Sequence, residues 1–333
     1  MRSFILKRVA AFVPQLLFLA IAVFTLLRLL PVDPVSRLIG SFNTDQNYAT
    51  AERTLGLDRG FGEQLGEFLG GLPSLDFGTS WRTGDSVAAE LAERVPVTLQ
   101  LVVLSFVVAL AIAVPLGRYV AAHVGGRVER IVTGYAMFAG AQPDFWWALI
   151  FVYVFYFLLG IAPAPLGLSV PVEGPTNFVL IDTLLHGDLA AFRTAVSEFA
   201  LPVLTLAFTL TGPILKIARQ SAMDALSSDY VLHARAMGVP QKSISRMITR
   251  NSLSPVVTIV GVLFVFTLGG AVLVESVFSL NGLGRYALSS VLEVDFPAIQ
   301  GAALVMAFLG LTVYVLMDVL YALLDPRVRF PRR

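Results

Sequence analysis

The sequence predicts an all-α membrane protein with six transmembrane helices, an external cap formed by a long first loop, and a basic loop on the opposite side. Three observations predict this class. The 333 residues are 56% hydrophobic and only 14% charged, whereas a soluble domain carries about a quarter charged residues. The mean hydropathy is +0.77. Six apolar runs are each long enough to cross a bilayer, which takes about 20 residues.

The first apolar run, Val9–Leu30, follows a basic head made of Arg2, Lys7 and Arg8. It has 22 residues and no small-x-small cleavage site follows it, so we expect a retained span rather than a signal peptide. Arg28 lies near its outer end, where its side chain can reach the interface.

The other five runs are Val97–Leu116, Ile131–Ile161, Phe199–Ile217, Leu253–Val274 and Ala298–Leu324. The third contains Gln142, Pro143 and Asp144, and the fourth contains Pro202 and Pro213. Breaks in a span survive only where other helices or a wet cavity satisfy the freed backbone groups. We therefore expect both spans to be interrupted and to lie toward the bundle interior.

Lysine and arginine are distributed unequally between the two sides. The N-terminus, the loops after runs two and four, and the C-terminus hold 16 of the 24 basic residues. The positive-inside rule places these segments in the cytoplasm. The predicted division is a first span (residues 1–30), an extracytoplasmic cap (31–94), a five-helix core (95–324) and a cytoplasmic tail (325–333).

The third external loop, residues 275–297, is apolar enough to dip back into the protein. Asn281 and Gly282 mark a turn in it, and the residues that follow suggest a short helix.

The sequence contains few candidate catalytic, metal-binding or cofactor-binding residues. It has no phosphate-binding GxxxxGK[ST], no HExxH and no GxSxG motif. There is no cysteine, and the three histidines, His123, His186 and His233, are spread over different loops. We therefore expect no catalytic residue, no metal site and no cofactor on this chain. A net charge of +1 gives no indication of nucleic-acid binding.

Asp144 is the intramembrane charge with the strongest claim to a functional role. Two interpretations are open from the sequence: Asp144 lines a substrate path together with Gln142, or it accepts hydrogen bonds from a neighbouring helix. The adjacent Trp146 and Trp147 are interpreted as packing or lipid-facing residues.

The most distinctive stretch is the polar, basic segment between runs four and five, here called loop 227–255. It predicts two short helices around a sharp break. Ser227, Ser228 and Asp229 offer oxygens to the free N–H groups of a helix start. Gly238 stands where a helix end needs positive φ, and Pro240 can open the next helix.

One face of the first short helix is apolar and comprises Tyr230, Val231, Ala234 and Met237. The second helix carries Lys242, Arg246 and Arg250. A compact apolar face at a membrane surface indicates contact with a partner. The alternative is a basic loop that lies on anionic lipid.

The run DYVLHARAMG…RNSLSP resembles the cytoplasmic "EAA" loop of permease subunits in bacterial ATP-binding-cassette (ABC) importers. Ala234 and Gly238 match the second Ala and the Gly of that motif, and Pro255 matches its closing Pro. Leu232 and His233 replace the Glu and the first Ala. That departure is common in the peptide/nickel branch of the family.

Further stretches are similar to the first of the two permeases in that branch, and together they cover nearly the whole chain. They are FILKRVAAFVPQLLF…LLRLLPVDPV, LGLDR (55–59), LDFGTSWRTGDSV (75–87), GGAVLVESVFSLNGLGR (269–285) and DVLYALLDPRVR (318–329).

The resemblance implies a type I ABC importer permease in a bacterial plasma membrane, with both termini cytoplasmic. Its implied partners are a second homologous permease, one or two ATPase subunits that bind ATP and Mg²⁺, an extracytoplasmic substrate-binding protein, and membrane lipid. The ATPase would be contacted within a coupling loop, residues 216–252, by Tyr230, Val231, Ala234, Arg235, Met237 and Gly238. The external loop would face the substrate path with Phe278, Asn281 and Leu283.

Short peptides are the expected cargo, with nickel chelates and oligosaccharides as alternatives within the same machinery. Two other classes of protein remain open from the residues alone. An ion-coupled secondary transporter would need paired inverted repeats, and no clear repeat is visible. A membrane-embedded enzyme would need a nucleophile–base or metal cluster within the spans.

Overall fold

The computed structural model describes residues 10–40, 44–170 and 174–324; the basic head and the predicted tail 325–333 lie outside these ranges. Within them the chain forms helices and no β-strand. The helices are α1 Phe12–Leu29, α2 Pro34–Ile39, α3 Asp45–Thr54, α4 Phe61–Gly71, α5 Val87–Ala122, α6 Arg127–Ala139, α7 Asp144–Phe151, α8 Val179–Leu185, α9 Leu189–Leu226, α10 Asp229–Ala236, α11 Gln241–Val277, α12 Leu283–Glu293 and α13 Phe296–Leu324. A π-helical segment, Val152–Leu158, continues α7.

The predicted six spans are confirmed. Helices α1, α5, α9, α11 and α13 are long and apolar enough to cross a membrane. The sixth span is the pair formed by α6 and the segment from Asp144 to Leu158, whose axes meet at 106°.

The predicted break in the third span is confirmed. Helix α6 ends at Ala139, and α7 begins at Asp144 after Pro143, whose backbone is extended (φ −64°, ψ 151°). An extended residue cannot continue the helical hydrogen-bond ladder, so the chain changes direction here. The prediction that this span lies in the bundle interior holds only in part: Trp147 is buried, whereas Phe145 is exposed.

The predicted interruption of the fourth span is wrong, because α9 is continuous through Pro202 and Pro213. Each proline removes one backbone hydrogen bond, but its φ is close to helical. Helix α9 is also the most buried span and packs against α5, α6, α7 and α11. These neighbours stabilise the helix across both prolines, and its predicted interior position is confirmed.

Two helices extend beyond their predicted spans. Helix α5 begins at Val87, so the predicted boundary at residues 94 and 95 lies inside it. Helix α11 begins at Gln241, so the second short helix predicted in loop 227–255 is wrong as a separate element. Residues 241–254 contain no glycine or proline, and the buried Ile244 and Ile248 hold this segment in place.

The main core is formed by α5, α9 and α11, around buried side chains such as Leu101, Leu206 and Leu268. Helix α1 is peripheral, packing mainly on α13 and on α4 of the cap. The cap is built from α2, α3 and α4. We call the membrane end that carries it the cap end, and the other the loop end.

Candidate functional site

Loop 227–255 is built around α10, an eight-residue helix between the long helices α9 and α11. Gly238 has φ +70°, as predicted. Its N–H donates to the Arg235 carbonyl, and the Val239 N–H donates to the Ala234 carbonyl, both at 3.0 Å. These two bonds form a Schellman motif, which ends α10 and turns the chain toward α11.

The predicted capping of α10 by serine side chains is wrong. Among the described residues, the Ser228 side chain makes no capping bond to α10; its hydroxyl donates to the Ala225 carbonyl at 2.6 Å. The Ser227 hydroxyl likewise donates to carbonyls at the end of α9. Both serines therefore complete the end of α9, because its last carbonyls have no intrahelical partner.

The residues predicted to share one apolar face of α10 separate into two sets. Val231 and Ala234 are buried at 1% and 7% exposure and pack with Ile244 of α11. Their contact fixes α10 to the base of α11. Met237, in contrast, is 71% exposed, and Tyr230 is 36% exposed.

Leu232, which stands where the EAA motif has Glu, is also on the surface and is 69% exposed. We call the exposed apolar side chains of this helix, Tyr230, Leu232 and Met237, the apolar tip. Tyr230 and Met237 are seven residues apart and share one face, whereas Leu232 lies on another side of the helix. An exposed apolar group on a rigid support is typical of a protein contact. Arg235 is exposed on the same helix.

A basic groove runs along the loop end of α11. Its volume is about 560 Å³, and it is lined by Lys242, Ser245, Arg246, Thr249, Arg250 and Leu253. The three cations recur at four-residue spacing and therefore lie on one helix face. In the described part of the chain none of them forms an ion pair.

Asp144 lies at the bend of the third span, between two core helices. Its carboxylate lies near Thr209 of α9, whose hydroxyl donates to the Leu206 carbonyl at 3.0 Å. A Cβ placed on Gly270 of α11 would lie 3.1 Å from its Oδ2. Gln142 is exposed and does not share this position. Asp144 and Gln142 are thus close in sequence but differ in surroundings.

The two tryptophans beside Asp144 differ in burial, because Trp147 is buried and Trp146 is exposed. Trp147 packs against Phe138, Phe151 and Phe208, and its Nε1–H donates to the Ala139 carbonyl at 3.2 Å across the bend. The packing interpretation is therefore confirmed for Trp147.

The loop of residues 275–297, which the sequence predicts to be external, folds back into the protein, as predicted, and contains α12. Phe278 and Leu283 are buried at 4% and 0% exposure, and only Asn281 of the three predicted path residues is exposed. The two apolar side chains therefore anchor the loop in this chain.

A buried glutamate that the sequence analysis missed holds this loop. Glu275, at the end of α11, is fully buried and contacts Thr98 of α5 and the backbone of α12. The detectable signal was an acid directly after the apolar run Leu253–Val274 and six residues before the NGLG turn. A second buried acid is Glu90, whose carboxylate accepts from the Tyr286 hydroxyl at 2.8 Å. Burial, followed by this hydrogen bond, raises the pKa of Tyr286, which keeps the phenol protonated as a donor.

No group of three or more histidine, aspartate or glutamate side chains is arranged to bind a metal ion within residues 10–40, 44–170 and 174–324.

Six spans, a cap at one end and a short helix with an apolar tip at the other define a multi-pass membrane protein. Comparison with known families identifies the system. Residues 113–330 match the family "Binding-protein-dependent transport system inner membrane component", and residues 1–102 match the corresponding N-terminal family. The chain belongs to this family of ABC importer permeases.

Individual relatives match over their whole lengths. The chain is 33% identical to the di/tripeptide transport system permease protein DppB of Pseudomonas aeruginosa, covering 100% of both chains. It is 33% identical to a putative peptide transport system permease protein of Brucella abortus, over 99% of this chain and 100% of that one. It is 30% identical to the dipeptide transport system permease protein DppB of Escherichia coli, over 99% of both.

Membership of this family supports the ABC importer interpretation rather than an ion-coupled transporter. It also implies a substrate-binding protein and an ATPase as partners.

Proposed function

We propose that this chain is the first of two homologous permeases in an ATP-driven importer of short peptides. The cargo is supported by the peptide and dipeptide systems named for the three relatives. The two permeases form the two halves of one translocation path. Faces of the third span that are exposed in this chain, such as Phe145, Trp146 and Leu149, are available to the second permease.

The observation that carries the coupling role is the apolar tip. Met237 and Leu232 project from a helix whose base is fixed to α11 by Val231 and Ala234. A rigid helix with an exposed apolar end can transmit movement, because it cannot be displaced without displacing α11. The tip inserts into a cleft of an ATPase subunit, while Arg235, Arg246 and Arg250 supply rim charge that orients the encounter.

The proposed orientation places the loop end in the cytoplasm with both chain termini, in a bacterial plasma membrane. The positive-inside rule supports it. The cap then faces outward and receives the substrate-binding protein.

Asp144 is proposed to line the path. It is a mid-span carboxylate at a helix break, between α9 and α11, and the described chain supplies no cation within ion-pair distance. A carboxylate here can accept hydrogen bonds from the ammonium or amide groups of a passing peptide.

Reconstitution tests the function. The two permeases and their ATPase are reconstituted in proteoliposomes, and the binding protein is added on the cap side. Uptake of a labelled dipeptide, a nickel chelate and an oligosaccharide is then compared. ATP-dependent uptake of the dipeptide alone supports the proposal. Uptake of only the nickel chelate or only the oligosaccharide would support an ATP-driven importer with a different cargo. Uptake without the ATPase would contradict the coupled mechanism.

A further inference from the structure

A cavity of about 600 Å³ lies at the cap end between α1, the cap and the start of α13. Its aromatic walls include Phe24, Phe68, Phe77 and Trp81. It is separate from loop 227–255, which lies at the other end of the membrane, and it is not part of the α5–α9–α11 core.

The cavity contains a cation without an anionic partner. The half-buried Arg28 stacks its guanidinium on the Phe24 ring, 3.4 Å from the centroid. Its Nε donates to Gln64 Oε1 at 2.9 Å and its Nη1 to the Phe24 carbonyl at 3.5 Å. Within the described residues no carboxylate pairs with Arg28 and Nη2 has no acceptor. A guanidinium held this way is oriented to bind an oxyanion.

A second donor lines the same cavity. The Gln300 side chain, on α13, is 4% exposed, and its Nε2 is buried without a hydrogen-bond partner in the described chain. Leaving a buried amide donor unpaired costs about 1–3 kcal/mol. An acceptor that reached this amide from the cavity would remove that cost.

The cavity also presents a carboxylate without a cation. Arg59 and Glu67, both in the lining, pair with each other at 2.7 Å. Asp76 accepts from the Gly78 N–H at 2.9 Å, and no basic side chain of the described residues pairs with it. Arg28 and Asp76 therefore remain as one positive and one negative charge, each available to a ligand.

We propose that this cavity binds the headgroup of a phospholipid that carries both a phosphodiester and a primary ammonium, as in phosphatidylethanolamine. The phosphate oxygens accept from Arg28 and Gln300, and Asp76 binds the ammonium group.

Its surroundings fit a lipid from the cap-side leaflet. Helices α1 and α13 are the two least buried of the five spans formed by a single helix. Leu26, Leu29 and Leu30, next to Arg28 in sequence, are 62%, 74% and 50% exposed, and they give acyl chains an apolar surface beside the cavity. The lipid would join the cap to the first and last spans.

Native mass spectrometry tests the proposal on the assembled importer. The complex is exchanged into detergent with equimolar phosphatidylethanolamine, phosphatidylglycerol and phosphatidylcholine, and retained lipid is counted. We expect one retained phosphatidylethanolamine per permease, and an Arg28→Gln variant to reduce retention about tenfold because a charge-assisted hydrogen bond is lost. Arg193→Gln, at an exposed arginine on α9, is the matched control and should not change retention.

Asp76→Asn is the second variant, at an exposed side chain whose replacement does not disturb packing. It should shift the preference from phosphatidylethanolamine toward phosphatidylglycerol, because it removes the ammonium partner and the repulsion of an anionic lipid. Unchanged retention in Arg28→Gln, or unchanged headgroup preference in Asp76→Asn, would overturn the proposal. Displacement by excess inorganic phosphate or by dialanine would also overturn it, because either would identify a soluble ligand.

Discussion

The Glu275 carboxylate is joined to Thr98 across the interface between α11 and α5. Its Oε1 accepts from the Thr98 hydroxyl at 2.5 Å, and its Oε2 accepts from the Arg285 N–H at 2.8 Å. The Leu283 N–H in turn donates to the Thr98 oxygen at 2.7 Å. One buried polar cluster therefore ties three helices together at the cap end, and it supplies partners for N–H groups at the start of α12.

Replacing Thr98 by valine should destabilise the protein by about 1–3 kcal/mol, because the valine keeps the shape but leaves Glu275 Oε1 and the Leu283 N–H without these partners. Thr98→Ser retains the hydroxyl and is the matched control. Thermal unfolding in detergent, with proteolysis of the 278–282 turn, measures the effect. If the valine variant is as stable and as protease-resistant as the serine variant, the polar cluster does not hold the loop.

Replacing Gly238 by valine should uncouple ATP hydrolysis from uptake. A Cβ at this position meets no atom within 4 Å, so the effect comes from the backbone, where φ is +70°. Holding a β-branched residue there costs about 1–3 kcal/mol, enough for uptake to fall about tenfold while hydrolysis continues.

Gly238→Asn is the control, because asparagine tolerates the left-handed region. Uptake and hydrolysis are measured on the same proteoliposomes. Equal uptake by the valine and asparagine variants would show that the turn geometry does not matter for coupling.

A charge in the apolar tip should weaken the ATPase contact. Leu232→Glu places a carboxylate where an apolar side chain is exposed for contact, and we expect the ATPase recovered with the permease to fall about tenfold. His233→Glu, also exposed on α10, introduces the same charge one residue away and should retain most of the ATPase. Co-purification with quantified subunit ratios distinguishes the two variants. An equal loss of ATPase from both would show that Leu232 is not a specific contact.

Two adjacent glycines on α11 test the position of Asp144. Gly270→Ala puts a methyl group 3.1 Å from the Asp144 Oδ2, whereas Gly269→Ala meets nothing within 4 Å. If Asp144 lines the path, Gly270→Ala should reduce dipeptide uptake while Gly269→Ala leaves it near wild type. Identical uptake rates with equal assembly would argue against a path at Asp144.

The sequence predicted the six spans and the left-handed turn because each depends on local chemistry. Apolar length decides a span, and Gly238 is the one residue in its turn that takes positive φ without steric cost. Pro143 broke the third span because Gly140 and polar residues surround it, whereas Pro202 and Pro213 stayed helical inside α9. The difference lies in neighbouring helices that the sequence does not reveal.

The roles within the site were less predictable for the same reason. Periodicity placed Val231 and Met237 on one face of α10, but α11 covers Val231 and leaves Met237 exposed. Leu232 is exposed because α11 packs against Val231 and Ala234 on the other side of α10. Glu275 and Thr98 are 177 residues apart, so no local pattern could pair them.

Site-directed cross-linking at Met237 tests the coupling proposal most directly. The chain contains no cysteine, so Met237→Cys gives this chain a single attachment point for a photoactivatable cross-linker, which is attached before the importer is assembled. The account predicts a covalent adduct with the ATPase subunit whose yield changes between the ATP-bound and nucleotide-free states. An adduct with lipid alone, in a preparation that retains the ATPase, would contradict it.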